Sequence, residues 1–454
     1  MGIMIAGVSS GSGKTTLTIG LMRALTDQGV LVAAFKSGPD YIDPMFHRLA
    51  TKGRAFNLPT WMVDEDALKR IYSLGSRGKD IGIVEGVMGY FDGHDIHGIE
   101  GSSAKLAEVL NLDVIIVMDG SSMALTAAAI LKGLMTFQEP SRICGIIFNR
   151  VKSSKHYALL KAAVEQHLNI KCYGYIEPDE SLSFESRHLG LVQVFEEDKS
   201  EEKIAKIARH IEKTVDIEAL LELNSNKKSQ MVDEKINSRY DEKVRELKQK
   251  VQSGGGIKLG IARDHAFSFY YEENLELLEQ IGVTCVPFSP IEDSKLPEGI
   301  DGLYIGGGYP EVFSEKLQSN VGMRRDLLSW AKKGLPIYAE CGGLMYLMRQ
   351  IEQLDGICYD MVGVFEGTAV MTQKLQRFGH VEATLFNGIK YRGHEFHHSV
   401  IKDNLEPTEI NVEKHSEQWP CGYSKYNVLA TYVHNHFYSN MEFLHFLVRF
   451  YLKK

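Results

Sequence analysis

The chain has 454 residues, 44% of them hydrophobic and 24% charged, with a formal net charge of −8. At about 100–200 residues per domain this length implies two or three units, and the acidic balance argues against general nucleic-acid binding, so any polyanionic substrate must be met by local Lys and Arg. No apolar run approaches the roughly 18 residues that span a bilayer, the N-terminus passes into a strand without a signal-peptide pattern, and the scattered cysteines show no zinc spacing, so a cytoplasmic protein without a disulfide framework is expected.

Residues 3–6 form a short apolar strand that runs into Gly7-Val8-Ser9-Ser10-Gly11-Ser12-Gly13-Lys14-Thr15-Thr16, after which Leu17, Leu21, Met22 and Leu25 recur at helical spacing. Glycines let backbone N–H groups turn inward around phosphate oxygens, and the helix that follows presents its positive end to the same anion. Gly11, Ser12, Gly13, Lys14, Thr15 and Thr16 are therefore the expected ATP-binding residues, with Lys14 on the terminal phosphates and Thr15 on Mg²⁺. Five residues, 8–12, separate Gly7 from Gly13 where the usual pattern has four, a spacing that resembles the dethiobiotin synthetase branch of phosphate-loop proteins.

Runs at 81–84, 114–118 and 144–148 read as buried parallel strands, so the first part is a doubly wound α/β domain. Segments 36–44 and 85–93 place carboxylates just after strands, and open parallel sheets bind ligands at the carboxyl ends of their strands. Asp40 and Glu85 are thus expected to hold Mg²⁺ or orient a substrate, with Tyr41 and Asp43 as substrate candidates. Asp43 and Asp92 read equally well as turn residues. Asp119 is a further candidate near the metal, and Asn149 either reads adenine or caps a loop.

From residue 196 the composition turns strongly charged, with Ile204, Ile207, Ala208 and Ile211 marking one amphipathic helix before the polar stretch 227–250 and the hinge Ser253-Gly254-Gly255-Gly256. The expected division is a phosphate-loop α/β domain over 1–195, a charged helical linker over 196–256 and a second α/β domain over 257–454. In that last part Tyr338-Ala339-Glu340-Cys341-Gly342-Gly343-Leu344 sets one cysteine on a strand-to-helix turn, as in a nucleophile elbow. The helix N-terminus is expected to lower the thiol pKa, and Tyr432-Val433-His434-Asn435-His436-Phe437 to supply the activating imidazole, His434. Gly307, Gly308 and Gly342 are oxyanion-hole candidates. A metal on His434 and His436 is the alternative for that pair. Segment 392–398, rich in His, reads as a substrate cleft or as a surface hairpin.

Taken together, the phosphate loop, segments 36–44, 85–93, 186–190, 266–271, 306–311 and 340–343, and the ending at 432–437 resemble the cobyrinic acid a,c-diamide synthase family. The resemblance implies a dethiobiotin-synthetase-like ATPase joined to a class I type glutamine amidotransferase, that is, two doubly wound parallel-sheet domains. It implies ATP- and glutamine-dependent amidation of the a and c acetates of cobyrinate through an acyl phosphate, with Cys341 as nucleophile and His434 as its activator. ATP, L-glutamine and cobyrinate would be the small-molecule partners, Mg²⁺ the cofactor, with no nucleic acid or membrane and with a homodimer left open. Two departures stand out. His436 occupies the place where many amidotransferases carry the triad Glu, and Asn57-Leu58-Pro59-Thr60-Trp61 lacks the Asp-Pro that usually precedes the Trp. The same chemistry on hydrogenobyrinic acid or nickel sirohydrochlorin is one alternative. A phosphate-loop switch ATPase carrying an inactive amidotransferase-like module is another.

Overall fold

The computed structural model describes residues 2–94, 96–182, 186–187, 190–191, 200–225, 239–402, 407 and 409–452. His188, Leu189 and, within the expected linker, residues 196–199 and 226–238 lie outside the described residues. The chain divides into two compact units, Met1–Ile236 and Asn237–Lys454.

In the first unit, strands β1 (Gly2–Gly7), β2 (Val32–Ser37), β3 (Ala55–Leu58), β4 (Ile81–Glu85), β5 (Asp113–Asp119), β6 (Ile143–Asn149) and β7 (Lys171–Tyr175) form one parallel sheet in the order β3-β2-β4-β1-β5-β6-β7. The crossovers are α1 (Lys14–Asp27), α2 (Asp43–Thr51), α3 (Glu65–Gly75), α4 (Ser103–Val109), α5 (Leu125–Phe137) and α6 (Ser154–His167). Local chemistry starts these helices: Asp64, Ser102 and Ser153 each accept a backbone N–H of the first turn, and Pro44 sits where α2 needs no donor. The strands are apolar on both faces because helices cover both. Register aligns Lys36 with both Asn57 and Glu85, so three polar side chains share one face at the carboxyl end of the sheet.

A short pair, β8 (Ser186–Arg187) and β9 (Gly190–Leu191), precedes α7 (Ser200–Thr214) and α8 (Ile217–Ser225). Composition marks α7 as linker, yet it lies on α1: Ile204, Ile207, Ala208 and Ile211 are buried, and a Cβ on Gly20 would fall 2.4 Å from Ile207. The segment read as a linker is thereby divided between the units, because its one apolar stripe has a helix to cover.

The second unit begins with α9 (Arg239–Ser253), followed by β10 (Ile257–Ala262), β11 (Phe267–Phe269), α10 (Glu272–Gln280), β12 (Val283–Phe288), β13 (Gly302–Ile305), β14 (Gly307–Gly308), α11 (Ser314–Ser319), α12 (Val321–Lys332), β15 (Ile337–Glu340) and α13 (Gly342–Leu347). Beyond these come β16 (Met348–Glu352), β17 (Cys358–Asp360), β18 (Phe365–Met371), β19 (Arg377–Leu385), β20 (Lys390–His397), β21 (Ser399–Lys402), β22 (Ile410–Lys414), β23 (Glu417–Cys421), β24 (Tyr423–Lys425), β25 (Val428–Thr431), β26 (His434–Asn435) and α14 (Met441–Leu452). The central sheet runs β12-β10-β13-β15-β25-β24, parallel as far as β25 and closed by antiparallel β24. Doubly wound architecture therefore holds in both units. The second adds a four-stranded sheet, β17-β16-β18-β21, and an antiparallel five-stranded sheet, β23-β22-β19-β20-β26.

Candidate active sites

At the end of β1 the phosphate loop turns on Gly11 and Gly13, with φ of 74° and 98°, and Gly13 caps α1. Only glycine adopts that conformation without strain, and a Cβ on Gly13 would stand 2.0 Å from Asn149 Nδ2. The loop is braced from inside and out: Ser12 donates to the Ser9 carbonyl at 2.9 Å, Asn149 donates to the Ser12 carbonyl at 3.0 Å, and Arg150 donates to the Gly11 carbonyl at 3.2 Å. Asn149, offered above as a reader of adenine, thus spends its amide on the loop. Asp119 pairs with Arg150 at 2.6 Å. Thr16 follows in the first turn of α1.

Lys14 is buried, and its ammonium donates to the carbonyls of Ser9 at 3.1 Å and Met88 at 2.6 Å. Burial and the neighbouring Lys36 charge push its pKa down to about 8 against the pull of Glu85, Asp43 and Asp92. Thr15 donates to Glu85 Oε1 at 2.6 Å. Glu85 is fully buried and takes two further partners, Lys36 Nζ at 2.9 Å and His47 Nε2 at 2.6 Å. Burial opposes its charge, but Lys36, His47 and Thr15 overcome that and hold the carboxyl below the usual carboxylate range. Lys36 also lies 2.5 Å from Asp43 Oδ2; burial opposes the ammonium, while Asp43, Glu85 and Asp40 hold it firmly charged. Burial and the Asp40 carboxylate push Asp43 up against the pull of Lys36.

Asp40 Oδ1 accepts the N–H groups of Ile42 at 2.8 Å and Asp43 at 3.1 Å, and half-buried Tyr41 lies in the turn so formed. Asn57, one of the two departures, holds this loop by donating to the carbonyls of Gly38 at 2.9 Å and Asp40 at 2.6 Å. Asp92 accepts the Gly89 N–H at 2.9 Å and serves its own turn. The Thr15 hydroxyl and the Glu85 carboxylate are hard oxygen donors side by side. Magnesium needs only one or two carboxylates when phosphates and water complete its shell, so this donor set fits it. Sequence reading singled out neither Lys36 nor His47. The signal for His47 was its place four residues after Asp43 on one helical face.

In the second unit Cys341 sits between β15 and α13 at φ 48° and ψ −105°. The strain of a non-glycine residue there is borne by tight surroundings: the Cys341 N–H donates to the Thr431 carbonyl at 2.7 Å, and Gly342 and Gly343 pack where any Cβ would strike the 305–310 segment. The expected lowering of the thiol pKa is not what this environment produces. Cys341 is 6% exposed, and burial together with the charges of Glu311, Glu340 and Glu395 pushes the thiol up, against a smaller opposing effect of the Gly342 N–H. A six-residue helix cannot offset that desolvation.

His434 stands in β26, three residues past the Thr431 that receives the Cys341 N–H. A Cβ on Gly307 would fall 2.4 Å from its Cε1, and a Cβ on Gly342 would fall 3.0 Å from the Gly308 nitrogen. Histidine, thiol turn and the three oxyanion candidates thus meet at the segment 307–308. Burial pushes the His434 imidazole down to about 3, so it is neutral at rest. Its Nδ1 lies 4.0 Å from Glu340 Oε2, and its ring stacks on His394 with centroids 4.8 Å apart. His394 and Glu395 are buried on β20, whose Gly393 and His394 pair with Asn435 and His434, which removes the surface-hairpin reading of that segment. His436 turns elsewhere, its Nε2 lying 2.9 Å from Glu273 Oε1. Among the described residues no group of three or more His, Cys, Asp or Glu could hold a metal ion.

Residues 3–192 match the CobQ/CobB/MinD/ParA nucleotide binding domain, and residues 258–442 match the CobB/CobQ-like glutamine amidotransferase domain. The chain is 42% identical over 448 residues to a cobyrinate a,c-diamide synthase of Caldanaerobacter subterraneus subsp. tengcongensis, covering 97% of this chain and 96% of that one. It is also 42% identical over 461 residues to the Clostridium acetobutylicum protein of the same name, covering 98% and 99%. The Listeria innocua protein of that name is 39% identical over 451 residues, covering 96% of each chain.

Proposed function

The chain belongs to the cobyrinate a,c-diamide synthase family, and from that premise we propose that it is a glutamine-hydrolysing carbon–nitrogen ligase that uses ATP to convert the a and c acetate carboxylates of cobyrinate to amides. The observation that supports this most directly is the presence, in one chain, of a phosphate loop whose Thr15 meets a buried carboxylate and of a strained cysteine turn whose preceding residue, Glu340, lies 4.0 Å from His434.

A carboxylate becomes reactive to ammonia only when one of its oxygens becomes a leaving group. In the first unit the γ-phosphoryl of ATP passes to a substrate carboxylate oxygen, the bond to ADP breaks, and ammonia then displaces phosphate from the acyl phosphate. Lys14 leaves its two carbonyl partners for the terminal phosphates, whose charge restores its proton affinity. Thr15 and Glu85, with Asp40 nearby, would hold Mg²⁺, which neutralises phosphate charge when bound. Lys36 and His47 keep Glu85 ionised and aimed.

In the second unit the Cys341 thiol passes its proton to His434 as sulfur attacks the side-chain carbonyl of glutamine. The N–H groups of Gly308 and Gly342 receive the oxyanion, the C–N bond breaks, and ammonia leaves with the proton from His434. Water then hydrolyses the thioester to glutamate. The raised thiol and lowered imidazole keep the resting site neutral until substrate binds.

The test is mass spectrometry of products after incubation with ATP, Mg²⁺ and glutamine and, separately, cobyrinate, hydrogenobyrinate or nickel sirohydrochlorin. A diamide from cobyrinate is the expected result. A diamide only from another macrocycle would reassign the substrate, and no product from any of the three would overturn the proposal.

A further inference from the structure

The sequence departs from the amidotransferase pattern by placing His436 where a triad Glu is usual, and His436 is engaged with Glu273. A general base of this kind works with a carboxylate that balances the charge it acquires when it takes the thiol proton. We infer that Glu340, the residue directly before the candidate nucleophile, is the carboxylate partner of His434 and acts as its positioning residue. This inference rests on the glutaminase reading of Cys341 and His434.

Glu340 is 1% exposed and ends β15, so one strand delivers both the carboxylate and, one residue later, the thiol. Its two oxygens are held from three sides. Tyr304 donates to Oε2 at 2.9 Å, Tyr338 donates to Oε1 at 2.8 Å, and the Asn435 N–H donates to Oε1 at 3.1 Å. The last donor belongs to the residue after His434, so the carboxylate is fastened to the strand that carries the imidazole. Oε2 then lies 4.0 Å from His434 Nδ1, within ion-pair range and longer than a hydrogen bond.

A carboxylate buried among tyrosines is costly to keep, and burial duly pushes Glu340 up to about 7 although all three donors pull the other way. Such a group repays its desolvation where a positive charge forms beside it. When His434 accepts the Cys341 proton at Nε2, the imidazolium appears at a position whose burial otherwise disfavours it, and Glu340 supplies the opposite charge. At rest the same carboxylate favours the tautomer with hydrogen on Nδ1, leaving the Nε2 lone pair for the thiol.

The test compares the full-length parent with Glu340→Gln and Glu340→Asp. Glutamine hydrolysis and ammonium-supported, ATP-dependent amidation are measured separately. In Glu340→Gln, kcat for glutamine should fall about 10²- to 10⁴-fold. KM should stay within about threefold. Ammonium-supported amidation should be unchanged, and Glu340→Asp should recover part of kcat. A kcat within about threefold of the parent, or a raised KM with kcat intact, would overturn the assignment. The ¹⁵N resonances of His434 in the unmutated chain give a readout that needs no variant: hydrogen on Nδ1 is expected, and hydrogen on Nε2 overturns the proposal. Cys341→Ala separates the two layers. If it hydrolyses glutamine at the parent rate, the glutaminase reading fails; if it is silent while Glu340→Gln is active, only the role of Glu340 fails.

Discussion

Replacing Lys36 by Met removes the cation that lies 2.9 Å from Glu85 and 2.5 Å from Asp43, all three groups being nearly or fully buried. Deleting one member of a buried ion pair typically costs about 3–5 kcal/mol, because the remaining charge is left uncompensated. Two carboxylates lose their partner here, but Asp43 is already pushed up by burial and by Asp40 and can take a proton to relieve part of the penalty. A loss of about 3 kcal/mol near neutral pH is therefore expected.

The contribution of Glu85 to the pH dependence should shrink. In the parent, Glu85 is held below its ordinary value of 4.5, so its contribution is complete above that range and is lost only as the pH falls through the lowered folded value. In the variant His47 and Thr15 still hold Glu85, but without the lysine its folded value moves up from that of the parent toward the ordinary range. The gap between its folded and unfolded values narrows, so Glu85 adds less stability as the pH rises through the acid range to the ordinary carboxylate value. Hydrogen exchange of amides in β2 and β4, read by mass spectrometry across that range, reports opening of the first unit separately from the second. A variant within about 1 kcal/mol of the parent, with the same slope, would refute the reasoning.

Cys341→Ala should lose glutamine-dependent amidation and keep synthesis from ammonium salts; equal loss with both nitrogen sources would contradict two separable chemistries. In Gly13→Ala the left-handed backbone costs about 1–2 kcal/mol and the new methyl displaces the Asn149 amide from the loop, so ATP affinity measured by titration calorimetry should fall about tenfold or more. Unaltered affinity would show that the loop does not need this turn. Because burial and acidic neighbours push the Cys341 thiol up, its alkylation by iodoacetamide without glutamine should lag far behind that of exposed Cys358 at neutral pH and rise in alkali. Equal labelling by peptide mass spectrometry would count against this.

What the sequence alone determined was local. Short apolar runs ending in glycine or carboxylate announced parallel strands with their polar ends together, and the spacing after Gly13 announced α1, because period and turn chemistry are written in near neighbours. The same reading marked Cys341 by its flanking glycines. Tertiary structure decided what those residues meet. Residues 200–214 look like linker by composition, but their apolar stripe covers α1 at Gly20. Lys36, His47 and Glu85 come from three separate elements and form one buried charge network only through sheet register and helix packing. The environment of Cys341 went against the expectation from its helix, since burial is a property of the whole unit, whereas a helix end is visible in seven residues. Glu340 was in view beside the cysteine from the start. Its neighbour His434 lies 94 positions along the chain, and only the pairing of β15 with β25 and the return through β26 brings that imidazole to the carboxylate.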